Sequence, residues 1–581
     1  MIMADQDHDG SHIKGLVINF IHWYNPSLLE CDGFLLEFVT PIVKATKGKK
    51  QQQVFYTLPE YEEWKDSFDG PMKGWRIKYY KGLGTSTSKE AKEYFNDLER
   101  HRLDFEWMAG DEEFIQLAFS KSKTQGRKDW IREFQRNHLD RSTIKYDQAT
   151  MLYKDFFDKE YILYAQESVA RAIPELLDGL KPSQRKVLYS CFKRKLKNDI
   201  KVAQLAGYVS EHSAYHHGEM SLQKCIVAMA QDFVGSNNIN LLFPSGQFGT
   251  RLMGGADHAS ARYIFTRLSK LARLVFHPDD DALLEYNEDD GSTVEPVTYC
   301  PVIPMALVNG CNGIATGWST SIPNYNPKEI IHVLRKKLAG HLDLENSFQQ
   351  VEDELEPWYR GFNGSVAKKN AGAFITRAVV EVVDEDEILI SELPVGKWTQ
   401  SYKEFLESLT AIAAKAKNKG KKKTKKGAAP KSPPKTKASL VVGFQENHTD
   451  TKVSFTVQLT PGMYKFEVGD DPMTNAKFVK DFKLEASMSI KNMVLLHNGN
   501  APKTFKSVGN ILDLFYDYRL DLYEKRKEHL LSILMAAHTK LRNQVRGCVS
   551  GNSESLVVAT RLWCANQYWL EKCGQFIYFQ H

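Results

Sequence analysis

The chain has 581 residues, of which 42% are hydrophobic and 26% charged, and its formal net charge is +5. This length requires several domains, and the modest charge excludes a protein that grips nucleic acid over its whole surface, so any such contact must come from local patches. Eight scattered cysteines without metal-ligand spacing, no recognisable signal peptide and no long apolar run argue against a disulfide scaffold, a zinc module and a membrane protein.

The chain opens on three carboxylates at alternate positions, Asp5, Asp7 and Asp9, followed by Gly10. Residues 1–4 are predicted to end a buried strand, so these carboxylates would project together if extended, or converge where the strand turns at Gly10. Hard oxygen ligands at this spacing suit Mg²⁺, which can stabilise charge on a phosphate oxygen and a leaving alkoxide. No glutamate stands at the twelfth loop position, which excludes a calcium loop, whereas an acidic surface turn remains an alternative.

Two basic runs follow an α/β-like start. Residues 1–120 alternate short apolar strands with a helical stretch at 89–102, and the charged, helix-prone residues 121–160 are predicted to be a linker. Lys181–Lys186 and Lys193–Lys197 are candidates for local DNA contact, although such runs are also typical of solvated helix faces.

A tyrosine next to an arginine, Tyr263 and Arg262, lies downstream of a His-His-Gly-Glu run at 216–219. A tyrosine at the start of an amphipathic stretch is most often a core residue. Here, however, the arginine can hold a phosphate oxygen bidentately, and the imidazoles can donate to a developing oxyanion. Such neighbours, or a metal, are what a tyrosine hydroxyl needs to act as a nucleophile at neutral pH.

The remaining chain changes character three times. Apolar runs at 378–383 and 452–457 predict strands, and the lysine-rich segment 415–437 between them is predicted to be disordered. From Val508 an apolar stripe predicts a long helix, either a coiled-coil arm or an ordinary amphipathic helix. Residues 547–581 lose this stripe and receive no assignment.

Several motifs in a consistent order resemble the eukaryotic type IIA DNA topoisomerases. The acidic motif at 5–15 and the glycine-rich segment at 80–87 resemble the family's TOPRIM metal-binding domain. Segments that resemble its DNA-binding domain and the region after it are 171–174, 178–186, 215–222, 243–251, 262–264, 309–310 and 313–318. The resemblance extends from residue 1 to about Arg546.

The resemblance implies a multidomain α/β and α+β fold. Its expected parts are a partial TOPRIM α/β domain at 1–120, the linker at 121–160, a winged-helix DNA-binding domain with the catalytic tyrosine at 161–285, a β-rich tower domain at 286–505 and the start of a coiled-coil arm at 506–546.

The resemblance also implies a role for each matching residue. Tyr263 would attack DNA and become linked to the 5′ phosphate, with Arg262 stabilising the transition state and Arg171 and His217 supporting the scissile phosphate. The expected metal ligands are Asp5, Asp7 and Asp9. The expected DNA contacts are Lys181, Tyr215, Ser221 and Ile314, the last as a wedge between base pairs that bends the duplex.

The implied partners are duplex DNA and a second copy of the chain, with the metal carboxylates and the tyrosine acting in trans across a homodimer. The implied cofactor is Mg²⁺, with Mn²⁺ or Ca²⁺ as substitutes in cleavage. ATP would bind an upstream domain of the full-length protein, so no ATP-binding residue is expected in this chain. The expected location is the nucleus, with the mitochondrion as the alternative.

These implications predict the DNA gate of an ATP-dependent type II DNA topoisomerase, an enzyme that changes supercoiling and catenation. The ATPase domain, an upstream TOPRIM glutamate and the C-terminal gate of the family have no counterpart in this sequence. We therefore expect the isolated chain to be incompetent for strand passage and weak in DNA cleavage. An inactive DNA-binding fragment or pseudoenzyme is the alternative, as is a relative that only cleaves DNA.

Overall fold

The structure, a computed structural model, describes residues 1–48, 51–68, 74–80, 82–136, 149–289, 292–340, 355–410, 439–497 and 501–549. The lysine-rich segment predicted at 415–437 and residues 550–581 of the unassigned tail lie outside these ranges. Among the described residues, no helix is both long and apolar enough to cross a lipid bilayer.

The N-terminal part, up to Tyr161, combines two small sheets with helices. Its strands are β1 (Leu36–Phe38), β2 (Val43–Lys47), β3 (Gln51–Phe55), β4 (Trp75–Tyr79), β5 (Arg102–Glu106) and β6 (Thr150–Leu152). Its helices are α1 (His8–Tyr24), α2 (Leu58–Asp66), α3 (Ser88–Asn96), α4 (Leu98–His101), α5 (Glu112–Phe119), α6 (Thr124–Arg136) and α7 (Tyr153–Asp155), the last followed by a π-helical turn at Phe156–Tyr161. The sheet orders are β1-β5-β6 and β3-β2-β4, and only the β5–β6 pair is parallel.

The helical stretch predicted at 89–102 is confirmed as α3 and α4, separated by Asp97. A capping box between Thr87 and Glu90 starts α3 by satisfying backbone N–H groups at its first turn. Within the segment predicted as a linker, Ile131 and Phe156 have no exposed surface and pack in two neighbouring hydrophobic clusters. This segment therefore contributes to the packed interior.

A buried ion cluster ties α1 to β1 and to the π-helical turn. Lys14, 2% exposed, donates to Glu37 Oε1 at 2.6 Å and also to Glu160, which accepts a further bond from Ser11 Oγ at 2.7 Å. Burial raises the pKa of Glu37 to about 7, against the opposing effect of the Lys14 charge. One cation thus holds two carboxylates from distant segments against the helix that follows the acidic motif.

The middle part packs helices on one small antiparallel sheet. Its helices are α8 (Ile162–Ala172), α9 (Pro182–Lys193), α10 (Val202–His212), α11 (Glu219–Ala230) and α12 (Ala272–Val275). Its strands are β7 (Ile200–Lys201), β8 (Leu242–Ser245) and β9 (Phe265–Leu268), in the order β7-β9-β8. Leu188, Leu205 and Ile226, one from each of α9, α10 and α11, have no exposed surface and form the centre of the largest hydrophobic cluster.

Strands dominate the chain from Tyr286 to Phe505, which confirms the β-rich prediction. They are β10 (Tyr286–Asp289), β11 (Ser292–Pro296), β12 (Cys311–Ile314), β13 (Ser319–Ile322), β14 (Ser365–Asn370), β15 (Ala373–Arg377), β16 (Val379–Asp384), β17 (Glu387–Glu392), β18 (Val441–Glu446), β19 (Phe455–Leu459), β20 (Glu485–Ser489), β21 (Met493–His497) and β22 (Ala501–Phe505). The helices between them are α13 (Met305–Val308), α14 (Pro327–Leu338), α15 (Thr399–Leu409) and α16 (Ala476–Asp481).

The two larger sheets of this part have the orders β16-β17-β19-β18 and β14-β15-β20. The strand predicted at 378–383 is confirmed as β16, whereas the strand predicted at 452–457 begins only at Phe455, after a turn. Side chains at alternate positions of β17 and β19, among them Ile388 and Phe455, fill the core beside the four-stranded sheet.

The predicted long helix is present as α17 (Val508–Val549), about 63 Å long at 1.5 Å per residue. Its first turns are part of the central core, since Ile511 and Phe515 are buried. Farther along, Arg519 Nη1 and Arg526 Nε donate to the carboxylate of buried Asp280 at 2.8 and 2.6 Å. Beyond this anchor, side chains of the predicted stripe such as Leu530 and Ile533 are exposed.

Glu37→Gln should remove a pH-dependent loss of stability. The folded pKa of about 7 exceeds the ordinary carboxyl value of 4.5, so the unfolded chain releases its proton first and stability falls as pH rises through this window. The wild type should lose about 2–3 kcal/mol more than Glu37→Gln between about pH 5 and about pH 8 in urea unfolding. Glu93→Gln, at an exposed position of α3, is the control. An identical pH dependence of wild type and Glu37→Gln would contradict the buried-cluster assignment.

Candidate functional site

The acidic motif lies where the chain enters α1. Asp7 is the N-cap of this helix and accepts from the backbone N–H of Gly10 at 2.7 Å. Asp5 Oδ1 accepts from the backbone N–H of Leu83 at 2.7 Å. Gly82 packs so closely that a β-carbon there would lie 3.1 Å from the Asp5 carboxylate. The two motifs with the TOPRIM resemblance therefore form one corner of the molecule.

Two expectations for this motif are wrong. Met1 and Met3 are each 48% exposed, and residues 1–4 make only a single bridge, from Ile2 to Glu37, so they do not form a buried strand. Gly10 does not turn the chain, because it lies inside α1, which already begins at His8. The N-cap preference of aspartate explains both differences, since Asp7 starts a helix where alternation suggested a strand.

Asp9, in the first turn of α1, is neutralised by an arginine 162 positions later. Arg171, in the last turn of α8, donates from Nη2 and Nη1 to the two Asp9 oxygens at 2.7 and 3.2 Å. This pairing, aided by nearby His217 and His12, lowers the pKa of Asp9 below its ordinary value. The structure thus gathers three of the predicted site residues, Asp9, Arg171 and His217, within a single chain.

The donor set fits a divalent cation held by few carboxylates and several waters. Among the described residues, no three acidic, histidine or cysteine side chains converge on one point. Asp5 and Asp7 each use one oxygen for a backbone N–H, whereas both oxygens of Asp9 bind Arg171. Mg²⁺ commonly takes only one or two protein carboxylates, with water and substrate phosphate completing its shell. Asp5 and Asp7 could serve in this way, while Asp9 would first have to leave Arg171.

Tyr263 is not a core residue, because 66% of its surface is exposed. The backbone on either side is nevertheless fixed. The carbonyls of Ala261 and Ile264 accept from the N–H groups of Ala203 and Val202, the first residues of α10, at 3.1 and 3.0 Å. These bonds satisfy free donors at the start of the helix and place the tyrosine beside its positive end. A rigid main chain therefore presents a free phenol.

Arg262 is also exposed and lies against Tyr263. Its guanidinium carbon is 4.8 Å from the centre of the tyrosine ring. An exposed guanidinium keeps its fork of N–H donors available for a phosphate oxygen. No described contact joins this pair to Asp5, Asp7 or Asp9, so one chain holds the predicted site as two separate groups.

The predicted DNA contacts differ in exposure. Ile314, at the end of β12, is 89% exposed, which is exceptional for an isoleucine. Lys181 Nζ donates to the carbonyl of Asn312 at 2.9 Å and thereby supports the same hairpin. At Gly313 a β-carbon would lie 2.2 Å from the carbonyl oxygen of Ala172, the residue after Arg171, so the hairpin packs on the end of α8.

The other two predicted contacts lie around α11. Ser221 is exposed in the first turn of this helix. Tyr215 is only 7% exposed and packs edge-on against His217, with ring centres 5.4 Å apart. Its described packing orients the imidazole next to Asp9.

The basic run Lys181–Lys186 is largely structural. Arg185 is buried and bonds Asp178 at 2.7 Å, and Lys186 donates to the carbonyl of Ser213 at 2.6 Å and to Glu295 at 2.9 Å. These two cations therefore hold the fold together and do not form the expected surface patch.

Sequence reasoning missed the support behind Tyr263. Arg251 and Glu392, 5% and 1% exposed, form an ion pair between the glycine-rich loop that precedes Tyr263 and the end of β17. The same loop accepts a bond from Thr399 N–H on the Arg251 carbonyl at 3.3 Å. Gly254, with φ +61°, lies against the ring of Trp398, where a β-carbon would approach to 2.3 Å. The clustered glycines were the available signal that this loop packs closely against another element.

Comparisons with known proteins agree on one family. A family model described as DNA gyrase/topoisomerase IV matches residues 171–559, and one described as the C-terminal associated domain of TOPRIM matches residues 38–169. The chain is 46% identical to DNA topoisomerase 2 top-2 of Caenorhabditis elegans over 97% of its own length, and 47% identical to human DNA topoisomerase 2-alpha over 94%. It spans only 35% and 34% of these two relatives.

A solved structure extends this likeness to the fold. The chain is 42% identical to the Plasmodium falciparum topoisomerase II DNA-binding, cleavage and re-ligation domain, with a TM-score of 0.71 over 95% of this chain and 69% of that one. Both therefore share a mixed α/β fold. Since the first family model covers more than half of its length, the chain belongs to the type II DNA topoisomerases, in the family described as DNA gyrase/topoisomerase IV.

Proposed function

We propose that this chain forms the DNA gate of an ATP-dependent type II DNA topoisomerase. The observation that carries the proposal is Tyr263, an exposed phenol on a fixed backbone with Arg262 against its ring. The gate would cut both strands of one duplex, let a second duplex pass, and reseal the break. ATP would act through an upstream domain of the longer protein.

In the proposed step, the Tyr263 hydroxyl attacks a backbone phosphorus atom. A bond forms between the tyrosine oxygen and the 5′ phosphate, the bond from phosphorus to the 3′ oxygen breaks, and the proton lost by the phenol is balanced by one gained on the 3′ hydroxyl. Arg262 would hold a phosphate oxygen, and His217 would donate a hydrogen bond to the developing charge. One phosphodiester replaces another, so resealing needs no further energy source.

Mg²⁺ would neutralise charge on the phosphate and on the leaving 3′ oxygen. Asp5 and Asp7 would hold the ion, because each keeps an oxygen outside its described backbone bond. Asp9 would join them if DNA phosphate replaced its carboxylate on Arg171. Two anions competing for one guanidinium would thus link DNA binding to completion of the metal site.

The finer domain assignments support this proposal. Helices α9, α10 and α11 with the sheet β7-β9-β8 are the parts of a winged helix, the sheets at 365–489 would form the tower, and α17 would begin a coiled-coil arm. Exposed Ile314 would wedge between base pairs and bend the duplex, with Lys181 and Ser221 near the backbone. Tyr215 would act mainly through His217.

The protein would act as a homodimer in the nucleus, with a mitochondrial form as the alternative location. The absence of a described contact between Tyr263 and the aspartates supports a site shared by two copies. A DNA-binding fragment without cleavage activity is the second candidate function, and the neutralisation of Asp9 by Arg171 favours it.

Tyr263→Phe should abolish covalent DNA adducts and leave duplex affinity nearly unchanged, since it removes only the hydroxyl. Detergent trapping on a labelled duplex with Mg²⁺, followed by electrophoresis, measures the adduct, and a filter assay measures binding. Wild-type chain should give adducts, even at low yield. A wild type without adducts would support the DNA-binding fragment, and adducts in Tyr263→Phe would remove this residue from its role.

Mixing two inactive variants tests the shared site. Tyr263→Phe chains keep their aspartates, and chains with Asp5→Asn and Asp7→Asn keep their tyrosine. If the groups act in trans, the mixed dimer should regain adducts, and only on the Asn-containing chain, which a size tag identifies. If each chain completes its own site, the mixture should stay inactive.

Glu392→Gln should slow adduct formation by roughly 10- to 100-fold, because the loop before Tyr263 loses its ionic attachment and misplaces the nucleophile. Duplex affinity should stay within about twofold, since neither partner is exposed to DNA. The matched control is Glu485→Gln, which breaks an ion pair with Arg377 in the same β-rich part at a distance from the loop. Equal effects of both variants on cleavage, or a parallel loss of affinity, would contradict a positioning role.

A further inference from the structure

The second basic run, unlike the first, is a surface feature. Lys193, Arg194, Lys195 and Lys197 are all exposed, and so is Lys201 at the start of the next helix. We call residues 193–201 the basic turn. Its single carboxylate, Asp199, is engaged by Arg267 and by Ser245 Oγ at 3.0 Å, so it does not neutralise these lysines. Unneutralised cations so close together repel each other, which favours an anionic partner.

Part of the basic turn is held in place. The guanidinium of Arg194 lies 4.8 Å from the ring centre of Tyr208, and the ammonium of Lys193 lies 5.4 Å from that of Tyr189. Such stacking restricts long side chains that would otherwise be disordered in water. The turn lines a groove of about 580 Å³ together with Gln204 and Phe265.

The backbone of the basic turn carries strain at Lys195. This residue follows the C-cap of α9 with φ +51°, a left-handed conformation that glycine usually supplies. Lys195 N–H donates to Phe192 O at 2.9 Å and Leu196 N–H to Cys191 O at 3.0 Å, the two bonds of a Schellman motif. A lysine here is less favourable than glycine for folding, so its side chain has a use outside the fold.

The groove adjoins the nucleophile. Lys201 pairs with Phe265 across β7 and β9, and Phe265 stands two residues after Tyr263. Two residues span at most about 7 Å, close to two base-pair steps of a duplex. A duplex whose phosphate reached Tyr263 would therefore bring neighbouring backbone phosphates to the basic turn.

We propose that the basic turn, residues 193–201, binds the phosphodiester backbone of duplex DNA beside the phosphate attacked by Tyr263. It would act without base specificity, since lysine and arginine contacts to phosphates carry no sequence information. This inference rests on the proposed function and adds a binding surface that includes Arg194, Lys195, Lys197 and Lys201.

The test measures duplex affinity between about 50 and about 200 mM salt for wild type, Lys195→Gly and Lys197→Gln. Each variant should weaken binding and lower the slope of log affinity against log salt by about 0.9, the effect of losing one phosphate contact. Lys195→Gly should also keep or raise the thermal unfolding midpoint, because glycine relieves the left-handed residue. Weaker binding by a protein of equal or greater stability cannot come from damage to the fold.

Lys527→Gln, on the exposed part of α17, is the control for net charge. Its slope should equal that of the wild type. Unchanged slopes in both basic-turn variants, or an equal decrease in Lys527→Gln, would overturn the proposal. Failure of the proposed function is recognised separately, since it appears as a wild type that forms no Tyr263 adduct.

Discussion

The hydrogen bonds from the start of α10 to the carbonyls of Ala261 and Ile264 are the constraint on which the site depends. They fix the main chain on both sides of Arg262 and Tyr263 while both side chains stay in solvent. Nucleophilic attack needs the reacting atoms within a narrow range of distance and angle, so a mobile loop would serve poorly. The buried pair of Arg251 and Glu392 extends this support to the β-rich part.

Ion pairs have different tasks in different parts of the molecule. Around Lys14 and Arg185 they are buried, and each cation satisfies carboxylates that would otherwise be costly to remove from water. The pair of Asp9 and Arg171 is half exposed and connects two residues with chemical roles in the family. Exchange of such a pair for a phosphate is feasible, because solvent and the incoming anion can compensate each charge.

Local patterns predicted the elements and the chemistry well, and long-range pairing poorly. The long helix after Val508, the strand at 378–383 and the exposed Tyr263 agree with the sequence, because each depends on neighbouring residues. The buried strand at 1–4 and the basic surface at Lys181–Lys186 were wrong, because capping by Asp7 and burial of Arg185 depend on the folded context. The pairing of Arg251 with Glu392 spans 141 positions, and no periodicity encodes such a contact.

The anchoring of α17 at Asp280 has a mechanical consequence. From Arg526 to Val549 the helix extends about 35 Å past its anchor, at 1.5 Å per residue. As a stiff rod turning about that point, it would convert a rotation of about 10° into a displacement of about 6 Å at its tip. Two arginines on one carboxylate would act as a pivot, since the charges hold the rod in place while allowing small changes of angle. Small rearrangements around Tyr263 could thereby be amplified at a distance.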